Sequence, residues 1–443
     1  MMTSSERATQ GPGLPNEGLP RRRFVQTPRI VAVRLAIFAV LLLLAVWGLF
    51  AGSGLVQIIS GLFLLLSVVL FAFSLYVIFR SSRAPHPLPE SDLGIGAAPE
   101  AAFAAAAERA SGMRVYALQT GSTLVSFGQF FKGNEGWVGA RAVWNMGADE
   151  ATVFWAPVHV YLIVHPSQGL ILVDTGLGRA QTRKGYYSAR KGGLPGLIWK
   201  VEDNYLPPEQ ELAVQLERLG YTPADVNHVI MTHLHEDHTG ELNQFAPASV
   251  HLSRAEWGDR KRMGYGPSYE AIQQWNFFTF DSGCFHAFDA SKDLFGDGSI
   301  ILTPTYGHSF GHTSLFVQMG DYQLCLVADA LYSLRHLTPD SLAAFNYFGG
   351  EGFVTQNDSA RRLAAMQQAL PDLIYVPTHD PFDYTFKLVQ PFLADGRLAP
   401  EERAQLRAYQ AQLFDDQGRL KPEAQPRFER TDDGYGRVVA ELP

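Results

Sequence analysis

The segment THLHEDHTG, residues 232–240, places four candidate metal ligands within six residues. It follows directly on VNHVIM, residues 226–231, an apolar run typical of a buried strand. Imidazole and carboxylate groups are the ligands that zinc favours in catalytic sites, and a loop that leaves a strand can direct its side chains at two neighbouring ions. The segment therefore predicts a metal centre at the end of a strand. The four candidates are His233, His235, Asp237 and His238.

The sequence around this segment alternates short apolar runs with turns and amphipathic stretches. Two runs joined through Pro166 predict a β-hairpin over residues 158–164 and 169–176. The pattern is typical of an α/β fold with mixed sheets. Further strands are predicted at residues 300–303, 314–318, 324–328 and 373–376, and helices at residues 209–219 and 358–370.

The pattern His-x-His-x-Asp-His resembles the signature of the metallo-β-lactamase superfamily, and the resemblance covers about residues 113–392. It implies an αββα sandwich whose later ligands also follow strand ends. GHSFGH offers His308, LVADALY offers Asp329 and VPTHD offers His379. VDTG, with Asp174, matches an early motif of the same family, and this carboxylate is expected to support the site by hydrogen bonding.

The resemblance implies two metal ions per chain, most simply two Zn²⁺, with other divalent metals possible. Asp329 is expected to bridge them. Two such ions lower the pKa of a shared water enough to leave a bridging hydroxide near neutral pH, which suits hydrolysis of an ester-like bond. The implied ligands are His233, His235 and His308 for the first ion, and Asp237, His238 and His379 for the second.

The remaining histidines of this part of the chain are not expected to be metal ligands. His312 follows His308 by four residues and is expected to support the ligands without being one. An isolated histidine on a strand is usually packed or solvated. This applies to His159, His228, His251, His286 and His336.

Within the superfamily, the chain is most similar to the quorum-quenching N-acyl-homoserine lactonases. Tyr332 lies three residues after Asp329, Asp380 follows His379, and the segment TPTYGHSFGHTSLFV resembles the corresponding part of those enzymes. The resemblance implies that the Tyr332 hydroxyl donates to the developing oxyanion and that Asp237 passes a proton to the leaving oxygen. The implied substrate is a lactone or ester that can carry an acyl tail.

Other interpretations stay open at this point. The same ligands would serve a thioesterase resembling glyoxalase II or a phosphodiesterase. A mononuclear iron persulfide dioxygenase and a non-catalytic membrane scaffold share the fold, but the complete ligand set disfavours both. Tyr332 could be a core residue without a catalytic role.

The N-terminal part of the chain predicts a membrane anchor. Residues 35–79 contain no charged residue and no histidine, and a single helix over them would be about twice as long as the ~30 Å hydrocarbon layer is thick. The break at Gly52-Ser53-Gly54 predicts two transmembrane helices, about 30–51 and 55–79. Arginines flank both ends, so the positive-inside rule places the catalytic domain in the cytoplasm of a two-span cell-membrane protein, with the lipid bilayer as a partner. A signal peptide followed by a core helix is the alternative.

Composition narrows the possible partners and disfavours a disulfide-rich fold. The formal net charge of -8 disfavours a nucleic-acid partner, and two cysteines cannot form a disulfide framework. The oligomeric state stays open. The predicted organisation is a disordered leader (1–28), two transmembrane helices (29–80), a Pro/Ala-rich linker (81–112), a catalytic domain (113–395) and a helical and polar C-terminal tail (396–443).

Overall fold

Two β-sheets pack face to face and carry helices on their outer surfaces. The structure is a computed structural model that describes residues 28–81, 92–131, 153–183, 204–260, 267–338, 353–382, 384–432 and 436–441. The α/β sandwich predicted from the sequence is confirmed. The strands are β1 (Arg114–Ser126), β2 (Val153–His165), β3 (Gly169–Val173), β4 (Asn204–Tyr205), β5 (Val226–Ile230), β6 (Ser249–Ser253), β7 (Trp275–Phe278), β8 (Lys292–Asp293), β9 (Ile300–Pro304), β10 (Thr313–Gln318), β11 (Gln323–Ala328), β12 (Leu373–Pro377), β13 (Arg427–Arg430) and β14 (Gly436–Val439).

The helices are mostly short. Those at the N-terminus are α1 (Pro28–Ala51) and α2 (Leu55–Ser81). The rest are α3 (Glu100–Ala106), α4 (Phe127–Phe131), α5 (Leu212–Arg218), α6 (Glu236–Thr239), α7 (Arg254–Asp259), α8 (Phe353–Ala369), α9 (Gln390–Phe392) and α10 (Pro400–Leu413).

The first sheet follows the order β13-β14-β2-β3-β5-β6-β7, with β1 paired to β2 and β4 paired to β1. The predicted hairpin is confirmed, because β2 and β3 pair antiparallel with Leu162 opposite Leu172. β3, β5 and β6 run parallel to one another, and β5 lies between the other two, inside the sheet. The segment of residues 232–240 begins shortly after β5 ends. A central parallel strand is covered on both faces, which explains the apolar run that precedes the histidines.

The second sheet follows the order β12-β11-β10-β9-β8. β12 joins β11 in parallel, whereas β9, β10 and β11 form antiparallel pairs. The apolar layer between the sheets joins Ile171 and Ile230 of the first sheet to Leu302 and Leu326 of the second. The sandwich therefore holds the ends of strands from both sheets at fixed positions around one site.

The predicted transmembrane hairpin is wrong. Of the helices that the structure describes, none is long and apolar enough over its described residues to cross a membrane. The predicted two-span membrane location, with the bilayer as a partner, is contradicted by the same finding.

Residues 92–112, the described part of the predicted linker, pack against the catalytic sheets. Phe103 of α3 is 2% exposed and meets the ring of Phe285 edge-on at 5.3 Å. The Phe103 carbonyl accepts a hydrogen bond of 3.0 Å from the Gln318 side chain on β10. This segment therefore contributes an aromatic residue to the main core.

The C-terminal residues also pack on the sandwich. Arg335 is fully buried and donates from Nε to the Ala424 carbonyl at 2.9 Å and from Nη1 to the Tyr409 hydroxyl at 3.3 Å. Its guanidinium lies 3.5 Å from the centre of the Phe382 ring. β14 adds to the first sheet next to Phe154 of β2. The region past residue 396 is thus tied to the first sheet and to the segment that follows β11.

The packing of Phe103 leads to a stability prediction. Phe103→Ala should lower the free energy of unfolding by about 3–5 kcal/mol, because it removes a buried ring from a close-packed core. Denaturant titration followed by circular dichroism measures this. Leu93→Ala, in the same segment but at a side chain that is 50% exposed, is the control and should change little. Equal unfolding midpoints for the two variants would show that the segment does not belong to the core.

Candidate metal centre

The sandwich brings all seven predicted ligands to one edge. His233, His235, Asp237 and His238 follow β5, while the other three lie in the loop between β9 and β10 and directly after β11 and β12. Their ligand atoms form two groups, each of which could hold a metal ion. The first group is His233, His235, His308 and Asp329; the second group is Asp237, His238 and His379.

Three imidazole nitrogens converge in the first group. His235 Nδ1 lies 2.9 Å from His233 Nε2 and 2.7 Å from His308 Nε2, and the last two atoms are 3.1 Å apart. Burial lowers the pKa of His233 and of His308 well below the usual histidine value, and neighbouring imidazoles lower it further. Neutral rings present lone pairs, so this arrangement suits a shared cation.

The Asp329 carboxylate lies between the two groups. Its Oδ2 is 3.1 Å from His308 Nε2, whereas its Oδ1 is 3.2 Å from both His238 Nε2 and His379 Nε2. Burial would raise the pKa of Asp329, but the surrounding imidazoles, His379 first, outweigh burial and hold it well below its usual value. The two oxygens of one buried anion therefore face different sets of ligands.

The second group favours positive charge. Asp237 Oδ2 lies 3.4 Å from His379 Nε2 and its Oδ1 lies 4.0 Å from His238 Nε2. Burial opposes protonation of His238, but Asp329 and Asp174 raise its pKa well above the usual value. His238 Nε2 and Asp329 Oδ1 are buried and, within the described part of the chain, make no hydrogen bond of acceptable geometry. A divalent cation would satisfy both atoms, so the residues fit a metal here.

Asp174 holds two of the ligand residues in place through hydrogen bonds. It accepts from the Thr232 amide at 2.8 Å, from the Thr232 hydroxyl at 2.7 Å and from His238 Nδ1 at 2.7 Å. The Thr232 hydroxyl also lies 3.1 Å from His233 Nδ1, so one carboxylate orients two imidazoles. The predicted hydrogen-bonding role of Asp174 is confirmed. Its φ of 62° is left-handed, a backbone conformation that a non-glycine residue keeps only when its contacts require it.

Two further contacts fix the remaining ligands. His379 Nδ1 donates to the Pro157 carbonyl at 2.7 Å, which directs its Nε2 at the second group. His312 Nε2 accepts from the Asp329 amide at 3.1 Å and belongs to neither group, as predicted. Burial is the main cause that lowers the pKa of His312 to about 3, so it stays neutral and keeps the lone pair that accepts this bond.

Glu256 is a supporting residue that the sequence analysis missed. It lies on α7, is fully buried, and accepts from the Leu234 amide at 3.0 Å. Its other oxygen accepts from the Ser309 hydroxyl at 2.7 Å and from the Gly311 amide at 2.9 Å. One carboxylate thus ties the loop of His233 to the loop of His308. An acidic residue in a short helix carries no motif, so only the buried contacts reveal this role.

Tyr332 lies beside the first group. It is 3% exposed, its ring stacks on Phe130 at 4.2 Å, and its hydroxyl is 2.8 Å from His308 Nδ1. Burial raises the pKa of Tyr332 well above the usual tyrosine value, and the charges of Asp329 and Asp237 add to this rise. The phenol therefore keeps its proton at neutral pH.

The other histidines lie outside the two groups. His228 and His251 pair at 3.0 Å on neighbouring strands, His159 contacts the Thr378 carbonyl, and His336 contacts the Phe130 carbonyl. His286 is exposed. Their predicted interpretation as packed or solvated residues is confirmed.

Comparison with known proteins identifies a family and several relatives. The profile of the family described as "Metallo-beta-lactamase superfamily" matches residues 153–379. The N-acyl homoserine lactonase AttM of Rhizobium radiobacter is 32% identical over 53% of this chain and 82% of its own length. A probable metallo-hydrolase of Mycobacterium tuberculosis is 28% identical over 50% of this chain and 74% of its own length. A solved N-acyl homoserine lactone hydrolase with N-hexanoyl-L-homoserine at its catalytic metal center aligns with a TM-score of 0.46 and 21% identity, over 60% of this chain and 93% of that chain.

The contacts of Glu256 predict an effect on metal binding. Glu256→Gln places an amide N–H against groups that are themselves donors, so the loops of His233 and His308 should separate. Metal affinity, measured by competition with a chromophoric chelator, should fall about 10- to 100-fold, as for other residues that orient ligands. Glu217→Gln, at an exposed position on α5, is the control. Unchanged affinity in Glu256→Gln would exclude the supporting role.

Proposed function

Because the chain belongs to the metallo-β-lactamase superfamily and is a hydrolase related to lactonases, we propose that it opens lactone rings with two divalent metal ions, most simply zinc. The observation that carries the proposal is the position of Asp329, whose two oxygens face the two ligand groups. The relative named as an N-acyl homoserine lactonase supports an N-acyl-homoserine lactone as the substrate. Opening such a lactone would amount to quorum quenching.

The proposed ligand assignment follows the two groups. Asp329 would be the shared ligand, because its two oxygens face the two ligand groups. The short distances of its two oxygens to imidazole nitrogens on both sides support this assignment. The first ion is assigned to His233, His235 and His308, and the second to Asp237, His238 and His379.

When bound, two such ions supply Lewis acidity, which activates a water and polarises the carbonyl of an ester-like bond. The protein supplies the proton chemistry around them. If His308 Nε2 is a ligand, its Nδ1 carries the ring proton and donates to the Tyr332 oxygen at 2.8 Å. The Tyr332 proton is then available for a hydrogen bond to the carbonyl oxygen of the substrate as negative charge develops on it.

Asp237 is the proposed proton carrier. Its side chain is 21% exposed, whereas that of Asp329 is 4% exposed, so Asp237 is the carboxylate that reaches the open side of the site. Ring opening leaves an alkoxide that must take up a proton. A carboxylate within reach of both the attacking water and the leaving oxygen can move a proton between them.

The bridging assignment predicts that Asp329→Asn loses metal and activity together. An amide has one acceptor oxygen and no charge, so it cannot serve two cations. Elemental analysis of the purified chain should show about two zinc ions in wild type and a loss of most metal in the variant. Asp372→Asn, at a side chain that is 56% exposed, is the control. Two retained ions and a normal rate in Asp329→Asn would refute the bridge.

The role of Tyr332 predicts a rate effect without metal loss. Tyr332→Phe removes one donor to the oxyanion while filling the same space, so kcat on an N-acyl-homoserine lactone should fall very roughly 10- to 1,000-fold. KM should change less, because the bond strengthens mainly in the transition state. The control is Tyr221→Phe, at a half-buried tyrosine that packs against a second apolar cluster, which contains Leu212 and Leu216 of α5.

Three results would contradict this proposal. An unchanged kcat would exclude the oxyanion role. Loss of metal from Tyr332→Phe would show that the tyrosine only holds His308. If wild type opens no lactone but cleaves thioesters or phosphodiesters in a substrate panel, the lactonase assignment is wrong and the corresponding hydrolase replaces it.

A further inference from the structure

The segment of residues 92–106, which precedes β1, docks closely on the catalytic domain. A methyl group on Gly96 would lie 2.5 Å from the Asp281 carbonyl oxygen, and one on Gly94 would lie 3.0 Å from Gly283. Gly298, at φ 75°, meets the Ala102 carbonyl in the same way. Such close backbone approaches require glycine and fix the position of the segment. Docking is therefore specific, and it places residue 92 at a defined point.

Asp92 is a buried acidic residue of this docked segment. It is fully buried, and its Oδ2 accepts a hydrogen bond of 2.9 Å from the hydroxyl of Tyr306. Tyr306 is itself only 4% exposed, and its carbonyl accepts a hydrogen bond of 2.7 Å from Ser359 on α8. A buried phenol and a buried carboxylate are both costly without partners, so the pair is expected to persist.

Tyr306 lies two residues before His308, and the loop between them has little freedom. Gly307, at φ 126°, packs so closely on the Gln356 backbone that a side chain there would clash. The Gln356 side chain donates to the Asp329 carbonyl at 3.2 Å. The loop is thus held by α8 on one side and by Asp92 on the other.

We propose that Asp92 is a positioning residue for the His308 loop, so that the segment preceding the family-matched region forms part of the metal centre's support. The inference rests on the proposed metal centre. Asp92 acts on this loop through its hydrogen bond with the Tyr306 hydroxyl. A metal ligand must be held within about 0.5 Å of its productive position, and the Asp92–Tyr306 bond removes one direction in which the loop could move.

The test uses the full chain loaded with zinc and measures the rate of metal loss to excess chelator. Tyr306→Phe removes only the hydroxyl, and Asp92→Ala removes its acceptor. Each variant should release one of the two ions about 10-fold faster than wild type. The double variant should release it no faster than the single variants, because all three lack the same hydrogen bond.

A matched control separates positioning from general loosening of the segment. Glu100 accepts from the His286 amide at 2.9 Å and anchors the same segment at another point. Glu100→Gln should release metal at the wild-type rate, and thermal melting of every variant records its stability. Faster release in Glu100→Gln to the same extent, or additive effects in the double variant, would overturn the proposal.

The inference and the proposed function fail in different ways. Wild-type release from Tyr306→Phe, in a chain that binds two ions, overturns only the role of Asp92. A wild-type chain that binds no metal overturns the metal centre and this inference with it. A chain that binds two ions but opens no lactone leaves the release experiment fully informative, because that readout does not depend on the substrate.

Discussion

The site depends on one buried carboxylate surrounded by imidazoles. Asp329 is 3% exposed, and a charge with so little access to water requires compensation from nearby groups. The compensation comes from both sheets: His238 follows β5, whereas His308 and His379 follow strands of the second sheet. The requirement to place these rings around one anion explains why the sandwich holds its strand ends so closely.

Precise placement of the rings depends on a second layer of contacts. Four of the ligand imidazoles use their far nitrogen for support: His233 on Thr232, His238 on Asp174, His379 on Pro157 and His308 on Tyr332. The backbone is strained where this layer meets the ligands. Asp174 and Ala328, the residue before Asp329, both adopt left-handed φ values. Strain of this kind persists only where surrounding contacts determine the conformation, and it is common at functional sites.

The parts of the chain outside the family-matched region complete the catalytic unit. At the N-terminal side, Phe103 enters the main core and Asp92 reaches the loop of His308. At the C-terminal side, Arg335 holds Ala424, and Val438 of β14 joins the apolar cluster that contains Tyr332. The surroundings of the site therefore include residues on both sides of the matched range.

The sequence by itself determined the α/β sandwich, the family and the seven residues that meet at the site. These could be predicted because strand periodicity is local and because His233 to His238 lie within one short loop, where spacing alone predicts proximity. Tertiary structure decided the rest. Glu256 and Asp92 act through partners more than 20 residues and more than 200 residues away, and no local pattern identifies such contacts. The predicted membrane spans rested on the length of an uncharged apolar run and on its flanking arginines, but over the residues that the structure describes no helix could cross a membrane.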